Sequence, residues 1–214
     1  SIIITVHSKI GLYDTKELNT ILSDDTTGIT AIGHHKSALF VVVSDNDRSL
    51  DGIANLFFTQ AINELCYVAD KKCRDQCLPV PVRFIMDDFA TNCVIEQMPR
   101  IISSIRSRNI SVMLMLQSES QLMNCYREDG RTIIANCDTY LYLGGNDVDS
   151  ARSVSARCDL PLKKVLNMPV GNMWIFRRGE DPVYAKIFDL NKHIGEWMKD
   201  ERSDKGRRED GVML

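Results

Sequence analysis

Residues 82–90 read VRFIMDDFA, and their reading decides the fold. The first half is an apolar, β-prone run, and the second opens with two adjacent carboxylates, Asp87 and Asp88. Outward from it lie four further runs of this kind: 38–44 (ALFVVVS), 111–117 (SVMLMLQ), 139–144 (TYLYLG) and 172–178 (NMWIFRR). The four runs up to Gly144 show little polar alternation, the pattern of strands covered on both faces. Residues 182–188 are expected to pair back on the last run through a turn at 178–181 that contains Gly179.

Between these runs the spacing turns helical. Residues 50–69 place Ile53, Leu56, Phe57, Ala61, Leu65 and Val68 on one side. Ile101, Ile102 and Ile105 continue a second helix to Ser107, with Pro99 in its first turn, where a missing N–H costs little. Asn146 or Asp147 is placed to cap a third helix running towards Arg157. Strand–helix alternation of this kind predicts an α/β fold with a mainly parallel sheet.

The chain has 214 residues, enough for one domain with a real core, and 44% hydrophobic and 26% charged residues are ordinary globular values. A net charge of −3 argues against a surface that is basic throughout, so any contact with nucleic acid has to use a local patch. Seven cysteines, an odd number and mostly within apolar runs, read as reduced thiols. Cys73 and Cys77 form a lone C-x-x-x-C pair, read as loop residues rather than as zinc ligands. No apolar run approaches the ~18 residues of a membrane span, and no signal peptide is visible. The first residue is Ser1, not Met, which suggests a piece excised from a longer protein. Residues 1–198 are read as one domain and the charged stretch 199–214 as a mobile tail. Ile2–Val6 (IIITV) is strand-like by propensity.

An apolar strand ending in two carboxylates suits a nucleotide-hydrolysing site. One acid can hold Mg²⁺ through water, since that ion keeps much of its hydration, and the other can polarise an attacking water. The plain alternative is a strand that stops at a polar turn. Gln117 ends the next apolar run and can orient water or sense a phosphate, or simply mark a strand end. Arg106 and Arg108 lie at the end of the intervening helix, where cations complement the macrodipole and where an arginine finger can also sit. Gly144-Gly145-Asn146-Asp147 reads as a tight strand-to-helix turn. No G-x-x-x-x-G-K-[ST] occurs, and the nearest approach, Gly33–Ser37, has one glycine. His34 and His35 are adjacent and so point apart on an extended chain, and no Ser/His/Asp order with an elbow motif is present.

Four blocks in the same order, KSALFVVVSDNDRS (36–49), VRFIMDDFA (82–90), SSIRSRNISVMLMLQSESQL (103–122) and ANCDTYLYLGGND (135–147), resemble the TraG/TraD family of type IV secretion coupling proteins. They span residues 36–147, roughly half of the chain, and several ordered blocks are more specific than one motif. The resemblance implies a RecA-like P-loop NTPase sandwich of which this chain lacks the P-loop strand. It implies an ATP- and Mg²⁺-dependent motor that is homo-hexameric and anchored at the cytoplasmic face of the membrane. That motor passes relaxase-bound DNA, with relaxosome proteins, to the type IV secretion channel.

The piece itself is expected to be soluble, without membrane contact, and inactive without the P-loop. By the same resemblance Asp87 is the Walker B aspartate and metal residue. Asp88 takes the place of the usual catalytic glutamate, Arg106 that of an arginine acting on a neighbouring subunit's nucleotide, and Gln117 that of the glutamine sensor. Asp88 is one methylene shorter than the family's glutamate, the segment around 159–170 is shortened, and residues 1–11 align with a helical stretch despite their strand propensity. The alternatives are a non-catalytic docking module for relaxosome proteins and another RecA-like DNA translocase. A missing P-loop strand leaves a gap between the runs ending at Gln117 and Gly144, which is expected to close by direct pairing of 113–116 with 140–143. Insertion of Ile2–Val6, or of a strand from another copy, is the other way to fill it.

Overall fold

The structure is a computed structural model that describes residues 16, 20, 23–25, 27–43, 50–91 and 94–189. The strand expected at Ile2–Val6 and the tail 199–214 lie outside the described residues. After a short helix α1 (Ile29–Ile32), the first long element is α2 (Asp51–Lys72), then β1 (Val82–Met86), α3 (Met98–Ile102), a 3-10 turn (Arg106–Arg108) and β2 (Ile110–Leu114). There follow α4 (Glu119–Tyr126), α5 (Asp129–Ala135), β3 (Thr139–Tyr142), α6 (Val148–Cys158), α7 (Leu162–Leu166), β4 (Asn172–Arg177) and β5 (Val183–Lys186).

The helices follow from their sequences. Along α2 the buried side is Ala61, Ile62, Leu65, Val68 and Ala69, at helical spacing. Leu56, expected on the same side, is exposed, because the core lies over the second half of the helix. Asp51 in its first turn and Lys71 and Lys72 in its last match the macrodipole. Pro99 stands at the start of α3, as its missing N–H allows.

β1 and β2 pair in parallel, with Val82 opposite Ile110 and Met86 opposite Leu114. One face of the pair packs on a core that includes Ile62, Leu65, Met86, Phe89, Met98 and Leu122. β3, β4 and β5 form a separate antiparallel sheet in that order, with Tyr140 opposite Phe176 and Trp174 opposite Tyr184. The hairpin expected at 182–188 is therefore present, as β5. A second core joins Tyr142 and Phe176 to Ala151 and Val154 of α6 and Val165 of α7.

Three expectations are corrected. Residues 38–43 form no strand; they pair with no strand among the described residues, and Phe40 and Val42 are each 87% exposed. The β1–β2 pair is covered on one face only, since Ile85 is 62% exposed and Met113 and Met115 are also open to solvent. Propensity and apolarity marked strand-like runs but carried no information on whether a second layer covers them.

The expected pairing of 113–116 with 140–143 does not form either: β2 pairs with β1, β3 with β4, and the two belong to different sheets. The sheets are joined through helices instead, α5 packing on α3 and α4 on α6. Among the described residues both β2 and β3 thus keep an open edge, the kind that invites another strand.

Asp147 holds one of these helix contacts. Its carboxylate accepts from the Ser150 N–H (2.8 Å) and hydroxyl (2.6 Å), capping α6, and from the Ser120 hydroxyl of α4 (2.7 Å). Burial by itself would push this carboxyl up, but the hydrogen bonds from Ser150 and Ser120 outweigh it and hold it below its ordinary value. A depressed folded-state pKa stabilises the fold above the unfolded value of ~3.9, and the contribution is lost as pH falls through the lower folded value. Asp147→Ala is expected to cost about 1–2 kcal/mol in urea unfolding at neutral pH, the worth of a strong N-cap. Asp147→Asn should cost less, and the difference between wild type and Asp147→Ala should shrink as the pH is lowered below 4. An Ala variant as stable as wild type would remove Asp147 from this role.

Candidate functional site

The parallel pair points its carboxyl ends at one spot, where open α/β sheets present ligands. The ladder runs one step past β1 and β2: Met115 N–H donates to Met86 O (3.0 Å), and Phe89 N–H donates to Met115 O (2.9 Å). Phe89 is fully buried and stacks on Tyr126 at 5.8 Å, whose hydroxyl donates to Ile95 O (3.1 Å). The turn Asp87-Asp88 is therefore pinned from both sides, by a strand before it and a core aromatic after it.

Asp88 adopts a left-handed backbone (φ 46°), which costs a non-glycine residue energy and persists where neighbours enforce it. In that conformation its carboxylate receives a hydrogen bond from Gln117 Nε2 at 3.2 Å. The Asp87 carboxylate accepts from the Asp88 N–H at 3.1 Å with Oδ1. Ser118 follows Gln117 and caps α4, accepting from Gln121 N–H at 3.1 Å, while the Gln121 amide bonds the Thr91 hydroxyl. Thus Asp87, Asp88 and Gln117, assigned from sequence, converge at one end of the pair.

The donor set suits a hard cation held mainly through water. Asp87 is exposed and presents carboxylate oxygen, yet among the described residues no group of three or more His, Cys, Asp or Glu gathers to hold a metal by itself. Mg²⁺ is usually bound in this way, by one or two carboxylates plus water and phosphate oxygens.

Arg106 lies at the other end. It precedes β2, so the length of the strand, roughly 15 Å at ~3.3 Å per residue, separates it from Asp88 and Gln117. The two arginines of the 3-10 turn have different environments. Arg108 is a clamp: its Nε and Nη2 donate to the two oxygens of Asp70 on α2, both at 2.8 Å, and its Nη1 donates to Ser104 O at 2.7 Å. The hydrogen bond from Arg108 holds the Asp70 carboxyl below its ordinary value. Arg106 is 85% exposed and, among the described residues, makes a long ion pair to Asp138 at 3.9 Å.

Sequence reading missed the company Arg106 keeps. Arg177 and Arg178, at the end of β4, and Asp138, before β3, stand at the same end of the molecule. The doubled arginine before a hairpin turn was visible in NMWIFRR, but its meeting with Arg106 spans two sheets. Gly144-Gly145 forms the predicted strand-to-helix turn, both glycines having positive φ (94° and 152°), with Asp147 as the cap.

The sequence profile described as the TraM recognition site of TraD and TraG matches residues 81–158, a stretch that holds Asp87, Asp88, Arg106 and Gln117. No curated protein sequence matches the chain. The fold is similar to solved structures of bacterial conjugative coupling protein TrwBdeltaN70. The unbound monoclinic form has a TM-score of 0.67 at 13% identity, over 86% of this chain and 48% of that one. The trigonal form in complex with sulphate has a TM-score of 0.62 at 14% identity, over 83% and 50%. Plasmid coupling protein TrwB in complex with ADP and Mg²⁺ has a TM-score of 0.53 at 13% identity, over 65% and 37%. The chain thus spans about half the length of the TrwBdeltaN70 chains it matches, or less. Residues 81–158 of the chain are thus similar to the TraM recognition site of TraD and TraG, and its α/β fold is similar to that of TrwBdeltaN70.

Proposed function

We propose that residues 1–198 are the carboxyl-terminal part of the nucleotide-binding domain of a conjugative coupling ATPase, whose P-loop strand belongs to a segment preceding this chain. The observation that carries this reading is the convergence of Asp87, Asp88 and Gln117 at the carboxyl end of the parallel pair. Mg²⁺ bound with the nucleotide would neutralise phosphate charge during transfer. Asp87 would hold that ion through its water shell, Asp88 would take the proton of the attacking water, and Gln117, bonded to the Asp88 carboxylate, would orient that water. The related TrwB has been solved with ADP and Mg²⁺ and with non-hydrolysable ATP and GTP analogues.

The open apolar faces and edges of β1–β2 and β3 suit a missing central strand and its layer. In this reading the whole protein is a homo-hexamer at the cytoplasmic face of the membrane. Among the described residues, no helix is long and apolar enough to cross one. Its partners are relaxase-bound DNA, the secretion channel and a relaxosome protein, the last in keeping with the TraM-recognition description of residues 81–158.

A calorimetric titration with Mg-ATP tests the division of the site. The chain alone is expected to show no site tighter than about 10 μM, roughly −7 kcal/mol. A longer protein supplying a G-K-[ST] loop before residue 1 should bind more tightly than that. A sub-10 μM site on the chain alone would refute the placement of the P-loop outside it.

A further inference from the structure

At the end of the molecule opposite Asp88, an arginine from the turn before β2 and one from the β4–β5 hairpin meet on one carboxylate, with a third arginine beside them. Arg178 Nη1 lies 3.8 Å from Asp138 Oδ1, and Arg106 Nη1 lies 3.9 Å from Asp138 Oδ2. Arg178 also donates its backbone N–H to Asp138 O at 3.0 Å, so the hairpin and the start of β3 hold this geometry together. Arg177, the neighbour of Arg178, sits 3.8 Å from Glu180 in the same hairpin turn. Arg177 and Arg178 line two shallow depressions. One includes Arg106, and the other reaches Arg157, whose guanidinium lies over the Tyr140 ring at 4.4 Å.

These pairs are long and wet. Arg106 and Arg178 are 85% and 82% exposed, and exposed pairs at such distances contribute little to stability. The cluster therefore has little value as a staple, yet it concentrates positive charge on a chain whose net charge is −3. Guanidinium groups present several N–H donors in a planar fork that matches phosphate oxygens two at a time. A single-stranded nucleic acid calls for basic groups spread along a groove that follows the backbone. Here Arg106 and Arg178 converge on Asp138 with Arg177 lining the same depression, and Asp138 and Glu180 interrupt any basic track. Convergence suits a short, dense anion.

We propose that Arg106, Arg177 and Arg178 form a binding site for the polyphosphate chain of a nucleotide, with Asp138 as the internal anion that the incoming phosphates displace. This rests on the reading of Arg106 as facing a nucleotide and extends it to the hairpin arginines. Asp138 keeps the forks gathered while the site is empty and repels the ligand it gives way to, so it sets affinity by opposition. Arg157, lying over the Tyr140 ring and 5.5 Å from the Phe176 ring, is a fixed flank of the depression and not one of the three forks.

The test is a titration of the 214-residue chain with inorganic tripolyphosphate in EDTA, so that metal at Asp87 cannot contribute. Arg178→Ala is expected to weaken binding at least about tenfold, as the loss of a charge-assisted contact. Arg178→Lys should restore only part of this, since a lysine lacks the fork. Asp138→Asn should tighten binding by about fivefold, the Coulomb energy of one charge pair at about 4 Å in water. Arg131→Ala, an exposed arginine paired with Glu128 elsewhere, should change nothing. No binding by wild type, or an Arg178→Ala variant indistinguishable from it, would overturn the site; looser binding by Asp138→Asn would overturn the role of Asp138. Tighter binding of a short oligothymidylate with the same arginine dependence would overturn the polyphosphate assignment in favour of a nucleic-acid backbone. The titration uses a single chain, so its outcome is independent of whether Arg106 acts across a subunit boundary, which a subunit-mixing experiment reads separately.

Discussion

In a full-length protein carrying this chain, Asp88→Asn is expected to lower ATP turnover by about 10²–10⁴-fold, the usual worth of a positioned general base. Its Mg-ATP affinity should remain close to wild type. The side chain keeps its size, so Gln117 can still meet it across the 3.2 Å contact, and the turn held by Phe89 has no reason to rearrange. What is lost is the capacity to accept a proton.

Asp87→Asn should differ in kind. Asp87 is the exposed acid of the pair, with one oxygen occupied by the Asp88 N–H and the other free to face an ion's water shell. Removing its charge should weaken nucleotide binding in the presence of Mg²⁺ and leave the weak metal-free binding unchanged. Calorimetry with and without Mg²⁺, beside a steady-state turnover assay, separates the two variants. Equal losses of Mg-dependent binding in both would rule out separate roles for two acids one residue apart. The φ of 46° at Asp88 adds a structural control: Asp88→Gly relieves the backbone strain while deleting the carboxylate, so it should be inactive yet fold at least as well.

Arg106→Ala is expected to reduce turnover by about 10³–10⁵-fold, as for arginine fingers supplied from a neighbouring subunit. The geometry gives the reason for a partner. Arg106 stands at the amino end of β2, and Asp88 and Gln117 stand beyond the carboxyl ends of β1 and β2, so one chain cannot bring both to one phosphate. Neighbours in a ring can. Mixing full-length Arg106→Ala with full-length Asp88→Asn should then recover activity, because some interfaces pair an intact arginine with an intact acid. Arg108→Ala provides the contrast. Its guanidinium is only 24% exposed and bonds both Asp70 oxygens, so its loss should lower stability, and mixing should not rescue it. Absence of rescue at every mixing ratio, with rings confirmed by sedimentation, would return Arg106 to the role of a helix-end charge.

Much of this was legible in residue order because it depends on local chemistry. An apolar run ending in Asp87-Asp88 marks a strand that stops at a polar turn whatever lies around it. Pro99 at a helix start, Asp147 as a cap and Gly144-Gly145 before it are set by backbone sterics and unpaired N–H groups within a few residues. The hairpin at β4–β5 followed from turn chemistry at Gly179.

Other features depend on which distant segments meet, and sequence had no means to rank those meetings. Residues 38–43 carry the composition of a buried strand, yet they run exposed, and among the described residues no strand pairs with them. The runs at β2 and β3 were expected to close on each other, yet helix packing through Ser120, Asp147 and Ser150 holds them in separate sheets.

By itself, then, the sequence determined the strand-ending acids, the caps and the turns, since each is settled by covalent geometry and hydrogen bonding within a few residues. Only the tertiary structure decided that Gln117 reaches Asp88, that Arg108 is clamped while Arg106 is free of such a clamp, and that Arg178 joins Arg106 on Asp138. Each of those depends on the distance and solvent exposure of groups tens of residues apart, which strand pairing and helix packing set together.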